Sequence, residues 1–330
     1  MTNVVFAERF AESPLRIGVR TSVMATILAE RVATLLGKAA PGIRIELVKI
    51  QVTSDHWGGD LSVIGGKAAF SKQIDEALVG GQIDVAVHCM KDVPGDVPLP
   101  EGTAFGAYLE REDVHDVLVT RDGTPLADLP PGSVIGTSAV RRAAQITAYR
   151  PDLRTKRIRG NVDARLDKLH AKDSPYAGLV LARVGLQRIG AVDEHQEVLP
   201  VEFQGDKSTL SMVPPVGAGV VGVHARVADA PVMQLVNQLN HPSTAAHILA
   251  ERTMLHMLRG HCNSPIAGYA TTTPDGQMAM FGMVFNQDGS AFVRSHAWGD
   301  LGDPAILGAR VAADLLHQGA MKLIDATGRS

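Results

Sequence analysis

An apolar strand that runs straight into a helix start recurs along this chain, and that recurrence constrains the fold more than any other feature. Leu15 to Arg20 (LRIGVR) reads as a strand. Ser22 can then cap an amphipathic helix, VMATILAERVATLLG, expected to stop at Gly37. Arg44 to Ile50 is the next strand, which makes a β-α-β unit and predicts a parallel sheet. A Gly-rich polar loop, a helix starting near Lys67 and the strand of GQIDVAVHCMKDVP follow. After FGAYLERED the same grammar resumes: SVIGTS into AVRRAAQITAY, TKRIRG into NVDARLDKLHA, AGLVLAR into VGLQRIG. MVPPVGAGVVGVHARV reads as a Gly-rich turn and an apolar helix, and HPSTAAHILAERTMLHMLRG as a long amphipathic helix. Beyond Ile266, three alternating segments separated by PDG and QDG turns predict antiparallel strands, and PAILGARVAADLLHQG predicts a closing helix. The expected fold class is α/β: two α/β units followed by a small α+β unit, with ligand held between the first two at the carboxyl ends of their strands.

Length agrees with that division, since 330 residues exceed what one core usually supports. A hydrophobic content of 45% with 20% charged residues is that of a folded, water-soluble chain. Two cysteines, Cys89 and Cys262, form neither a disulfide framework nor a zinc-ligand spacing, so a reducing compartment is expected and a metal is not. The first residues contain no apolar stretch of the export type, and no run approaches the ~18 apolar residues that span a bilayer, so a cytoplasmic protein without membrane partners is expected.

Net charge is −3, yet its distribution is uneven. Eight basic residues and two acidic ones lie between Arg141 and Arg165, giving that window +6 and the remainder −9. Such a window fits a local anion site better than a nucleic-acid coat. Arg20-Thr21-Ser22, Thr137-Ser138 with Arg141-Arg142, and Arg159-Gly160-Asn161 with Arg165 all fall where a strand ends and a helix begins. Free N–H groups, the helix dipole and an arginine fork together bind carboxylates or phosphates. One such junction is equally a solvated helix start; several in one chain favour an extended polyanion. Gly65-Gly66-Lys67 lacks the spacing of a triphosphate loop, and the GAGVVG string near Gly217 lacks the context of a dinucleotide fingerprint. By spacing alone, HCMKD is as well explained by a satisfied His88 and a Lys91–Asp92 ion pair as by catalysis. Cys262 reads as a half-buried thiol.

DVAVHCMKDVP, GTSAVRR, RIRGNVDARL, GGKAAF, EREDVHDVLV and GHCNSPIAGYA, taken together, resemble the hydroxymethylbilane synthase (porphobilinogen deaminase) family over roughly Leu15 to Gly319. The resemblance implies two domains like periplasmic binding proteins and a small C-terminal domain, divided here as 15–109 with 215–237, 112–213, and 240–330. It implies a transferase that joins four porphobilinogens head to tail with release of ammonia and then hydrolyses the product to hydroxymethylbilane. The chain grows on a dipyrromethane cofactor, whose thioether-bearing position falls on Cys262, while the catalytic carboxylate falls on Asp92. Cofactor binding is implied for Lys91, Asp92, Thr137, Ser138, Arg141, Arg142, Arg159, Gly160 and Arg165. Substrate binding is implied for Arg20, Ser22, Lys67, Arg159, Arg165 and Arg188. A cytoplasmic monomer with no metal or nucleic acid is the family precedent.

Four positions depart from the family pattern. Val63 replaces a lysine, Ala218 a glutamine, His224 a glutamate and His261 a small residue. Two alternatives therefore stand beside the synthase: a specialised paralogue making another oligopyrrole, and a non-catalytic anion sensor on the same scaffold.

Overall fold

The computed structural model describes residues 9, 13–52, 71–202, 210–260 and 264–326. The chain forms two compact units, Met1–Arg111 with Gly219–Ala246, and Glu112–Ala218 with His247–Ser330.

In the first unit, β1 (Leu15–Arg20), β2 (Ile45–Ile50) and β3 (Val85–Cys89) are parallel neighbours in the order β2-β1-β3. Helix α1 (Val23–Ala39) begins as the sequence predicts: the Ser22 hydroxyl accepts from the Ala25 N–H at 3.4 Å. It does not stop at Gly37. The helix continues until Ala40, the residue before Pro41, where the proline ring disfavours a helical backbone. Leu28, Ala29, Val32 and Leu36 form its buried stripe.

The stretch expected as an apolar helix after Gly219 is instead a strand, β10 (Val221–Arg226), set antiparallel between β3 and β4 (Thr103–Tyr108). Five of its six residues are buried, His224 among them, so the run shows no alternation; β-branched valines decide for strand. The sheet is therefore mixed, not purely parallel. Both faces are covered: α1 and α6 (Ala230–Asn237) on one, α2 (Lys72–Val79) with Ile74, Ala77 and Leu78 on the other. Asp84, just before β3 and 1% exposed, accepts from Arg16 of β1 at 2.9 and 3.1 Å and from Arg226 of β10 at 2.9 Å. Burial raises its pKa, and these guanidinium hydrogen bonds more than reverse the effect.

The second unit repeats the plan. Its first sheet runs β7 (Arg154–Lys156), β6 (Val134–Gly136), β8 (Gly178–Ala182), β5 (Asp116–Thr120), β9 (Gln196–Val198). The first three strands are parallel, and β5 is antiparallel to both its neighbours. Helix α3 (Val140–Tyr149) covers one face, through Ile146 against Leu118 and Val180. Helices α4 (Val162–His170) and α5 (Arg183–Arg188) cover the other. The C-terminal part is the expected meander, β11 (Ile266–Thr272), β12 (Met278–Phe285) and β13 (Phe292–Gly299), with α8 (Pro304–His317) and a short α9 (Ala320–Asp325) after it. Helix α7 (Pro242–Met257) precedes this sheet. Ala144 of α3 shares a core with Val213, Ala267, Met283 and Phe285, so α3 is packed on both sides.

Candidate functional site

Parallel strands deliver their carboxyl ends to one edge of a sheet, and each unit collects functional side chains there. In the first unit, β1 ends at Arg20 and β3 leads into a 3-10 turn, Met90–Asp92, that carries Lys91 and Asp92. The turn is fixed by two backbone bonds, Met90 N–H to Val220 O at 2.9 Å and Val93 N–H to Met90 O at 3.2 Å, and by the buried Met90 side chain. Lys91 and Asp92 remain half-buried. Ser22 serves as the α1 cap, so its hydroxyl oxygen already accepts one N–H. Cys89 is a half-buried thiol at the end of β3. His88 is buried, and burial pushes its imidazole down to about 4; the Asp75 and Asp92 carboxylates oppose that shift, while His224 and Arg20 add to it.

In the second unit, the β6–α3 junction holds Thr137 and Ser138. The Thr137 hydroxyl accepts from the Ala139 N–H at 3.2 Å, and the Ser138 hydroxyl donates to the Ile158 carbonyl. Arg141 and Arg142, in the first turn of α3, converge on Asp116 at the start of β5. Arg141 NH2 lies 2.6 Å from Oδ2, while Arg142 contacts both oxygens, at 2.9 and 2.7 Å. Arg141 also donates to the Val213 carbonyl at 2.5 Å, and Arg142 to that of Val180 at 3.1 Å. Burial raises the Asp116 pKa, and the two guanidinium charges overcome it, holding the carboxyl far below the usual range. Burial lowers Arg141 in turn.

The β7–α4 junction places Arg159, Gly160 and Arg165 together. Gly160 has φ +118°, a conformation suited to glycine, and its carbonyl accepts from Arg165 Nε at 2.8 Å. Asn161 caps α4 by accepting from the Ala164 N–H at 2.9 Å. Arg165 is the electrostatic outlier of the unit. Burial, then the charges of Arg142 and Arg159, bring its pKa down to about 10. Arg165 is thus buried beside two further guanidiniums at a strand edge, of which Arg142 is already paired with Asp116, and this local excess of positive charge favours an anion. Arg188, at the end of α5, is paired with Glu112.

Asp116 and Glu112 were missed in reading the sequence for sites. The signal for Asp116 was available: a carboxylate opening the otherwise apolar strand DVLVT, buried at 2% exposure, requires cationic partners. Lys67 and Cys262, with Val63 and His261, lie outside the described residues.

Comparison with known proteins bears directly on this pattern. The family model described as porphobilinogen deaminase, dipyromethane cofactor binding domain, matches residues 15–234, and the porphobilinogen deaminase C-terminal domain matches residues 245–317. The chain belongs to the porphobilinogen deaminase family. Porphobilinogen deaminase 2 of Streptomyces coelicolor is 46% identical, covering 94% of this chain and 96% of its own. Porphobilinogen deaminases of Halalkalibacterium halodurans and Geobacter metallireducens are 40% and 39% identical; each comparison covers 94–96% of both chains. Both strand-edge clusters fall within residues 15–234, the span matched by that first model. No described helix is long and apolar enough to cross a membrane.

Proposed function

We propose that this protein condenses four porphobilinogens head to tail, with release of ammonia, on a dipyrromethane carried by Cys262, and then hydrolyses the product to hydroxymethylbilane. The observation that carries this reading is the gathering of Arg159 and Arg165 beside Arg142 at one strand edge, where burial first, and then the charges of Arg142 and Arg159, bring Arg165 down to about 10. Pyrroles bearing acetate and propionate groups bring negative charge to that edge, and each charge-assisted hydrogen bond contributes about 1.5–3 kcal/mol. The donor set therefore fits dipyrromethane. Lys91, Thr137, Ser138, Arg141, Arg142, Arg159, Gly160 and Arg165 are assigned to hold it. When bound, that group supplies a nucleophilic ring carbon and carboxylates that anchor it.

The remaining chemistry belongs to the chain's own side chains. Loss of the amine from porphobilinogen leaves positive charge delocalised over the pyrrole. Asp92, on a turn fixed by β3 and β10, offers a carboxylate to the ring N–H and stabilises that charge. In its protonated form the same group hands a proton to the departing amine, which leaves as ammonia; as carboxylate it takes up the proton lost from the ring carbon after bond formation. Arg20, Ser22, Lys67, Arg159, Arg165 and Arg188 are assigned to substrate carboxylates. Arg188 then has to share its guanidinium with Glu112. The reading includes the three domains 15–109 with 215–237, 112–213 and 240–330, supported by three separate sheets. It also includes a cytoplasmic monomer whose partner is its small-molecule substrate.

The test is incubation with porphobilinogen, followed by product analysis and intact mass of the protein. A linear tetrapyrrole and a two-ring adduct located on Cys262 are expected. D92N should retain the adduct if loaded externally, and should consume porphobilinogen about 10²–10⁴-fold more slowly. A wild type that consumes no porphobilinogen, or that matches D92N, would leave an anion-binding scaffold as the better account.

A further inference from the structure

The first unit holds a second cluster of functional groups that the pyrrole chemistry does not use. His88 of β3 and His224 of β10 project from the same face of the sheet: the register sets Gly222 opposite His88 and His224 opposite Ala86, a diagonal pair. Gly222 keeps the corner open, because a Cβ there would lie 2.5 Å from Met90 Sδ and 2.7 Å from the Phe105 ring. Over this face lies α2, whose Asp75 Oδ1 is 3.8 Å from His88 Nε2 and 3.6 Å from His224 Nδ1. The three donor atoms lie within 4.8 Å of one another.

These groups are poorly satisfied as they stand. The side chains of His224 and His88 are 1% and 8% exposed. Both ring nitrogens of His224, and Nε2 of His88, lack a hydrogen-bond partner among the described residues. Buried polar atoms are normally paired, so three orphaned nitrogens, two of them (His88 Nε2 and His224 Nδ1) facing one carboxylate, call for a ligand. The rings are also held in place. Phe105 stacks on His224 with centroids 4.9 Å apart and meets His88 edge-on at 5.9 Å. Beside the cluster is a cavity of about 600 Å³, whose walls include Ser71, Lys72, Glu76, Val93 and Leu99.

We propose that Asp75, His88 and His224 form a binding site for a divalent transition-metal ion of the zinc class, with a further coordination position open to the cavity. Two neutral imidazoles and a carboxylate make a three-protein-ligand zinc set with room for water. Ligand atoms around a tetrahedral zinc stand about 3.3 Å apart, so the two carboxylate–imidazole separations of 3.8 and 3.6 Å lie close to that value, and the two imidazole nitrogens, within 4.8 Å of each other, have to draw together by at most about 1.5 Å. Imidazole nitrogens favour zinc, cobalt or nickel over calcium or magnesium, which prefer all-oxygen sites. The ion would tie α2, β3 and β10 together behind the strand that delivers Lys91 and Asp92. Spacing along the sequence gave no sign of such a set, because its ligands are far apart and meet only through the insertion of β10.

Cobalt(II) is the probe. Chelator-treated full-length protein is titrated with Co²⁺, followed by its visible absorption, and then competed with Zn²⁺. One bound equivalent is expected, with nitrogen and oxygen ligation and no thiolate charge-transfer band. D75N and H224Q should each bind at least tenfold more weakly, and Zn²⁺ should raise the melting temperature of the wild type but of neither variant. Circular dichroism checks that each variant is folded; should H224Q fail that check, D75N decides. Absence of bound Co²⁺ overturns the proposal. So does unchanged affinity in a folded variant, or a thiolate band that disappears in Cys262→Ser.

Discussion

Asp116 is the residue on which the cationic edge of the second unit depends. It is 2% exposed and takes three guanidinium hydrogen bonds from Arg141 and Arg142, so the arginines proposed to hold the cofactor are themselves held by a buried acid. An isosteric amide removes the charge and strands two buried cations. D116N is expected to lose about 3–5 kcal/mol, the usual cost of breaking a buried pair from one side, read as a lower urea midpoint. The pH dependence follows from the direction of the shift. The folded-state pKa of Asp116 lies below its unfolded value of about 3.9, so its stabilisation is complete above that value and fades as the pH falls below it. Wild type should therefore lose more stability than D116N on acidification below about pH 4; parallel acid profiles would count against the role given to the triad. The arginines were legible in the sequence as a charge window, whereas their acid was not. Asp116 lies in a different strand from the window, and only the antiparallel placement of β5 beside β8 brings it under α3.

Legibility at the level of elements followed burial. Segments with one exposed face, such as α1 and α8, kept the periodicity that identifies them, and β11 to β13 were identified by the PDG and QDG turns that set them off, although β12 is buried along nearly its whole length. β10 is buried on both faces and lost that periodicity, so its valine run read as a helix. The insertion matters for the site, since β10 fixes the Met90–Asp92 turn through Val220 and supplies His224. A second element-level consequence concerns the QDG turn between β12 and β13. Gly289 has φ +72°, and a Cβ there would stand 2.2 Å from the Ala144 carbonyl oxygen of α3. Any side chain meets both backbone strain and a backbone contact that a rotamer change does not relieve. G289A is expected to cost about 1–3 kcal/mol and, because α3 carries Arg141 and Arg142, to weaken retention of the cofactor as well. Melting temperature and the adduct-bearing fraction by intact mass check both effects. A variant with wild-type values for both would show that the turn yields without disturbing α3.

The charge of the whole molecule is divided in a way that makes the bound cofactor part of its stability. A +6 window sits in a chain of net −3, and within it the Arg165 pKa is lowered in the folded state by burial and then by the charges of Arg142 and Arg159. An unfolded chain spreads those charges apart, so the fold without an anion carries a repulsive cost that a carboxylate-rich ligand removes. Protein lacking the adduct, either Cys262→Ser or wild type produced without porphobilinogen, should melt lower than the loaded protein. Two or three charge-assisted contacts, about 3–9 kcal/mol together, correspond to roughly 6–36 °C at about 2–4 °C per kcal/mol for units of this size. Inorganic phosphate should narrow the difference by occupying the same cations, with little effect on the loaded form. Wild type reconstituted with porphobilinogen should recover the higher value, whereas Cys262→Ser should not. If adduct-free and loaded proteins melt together, and phosphate moves neither, then the arginine cluster is neutralised by the protein itself and the anion site has to be sought elsewhere.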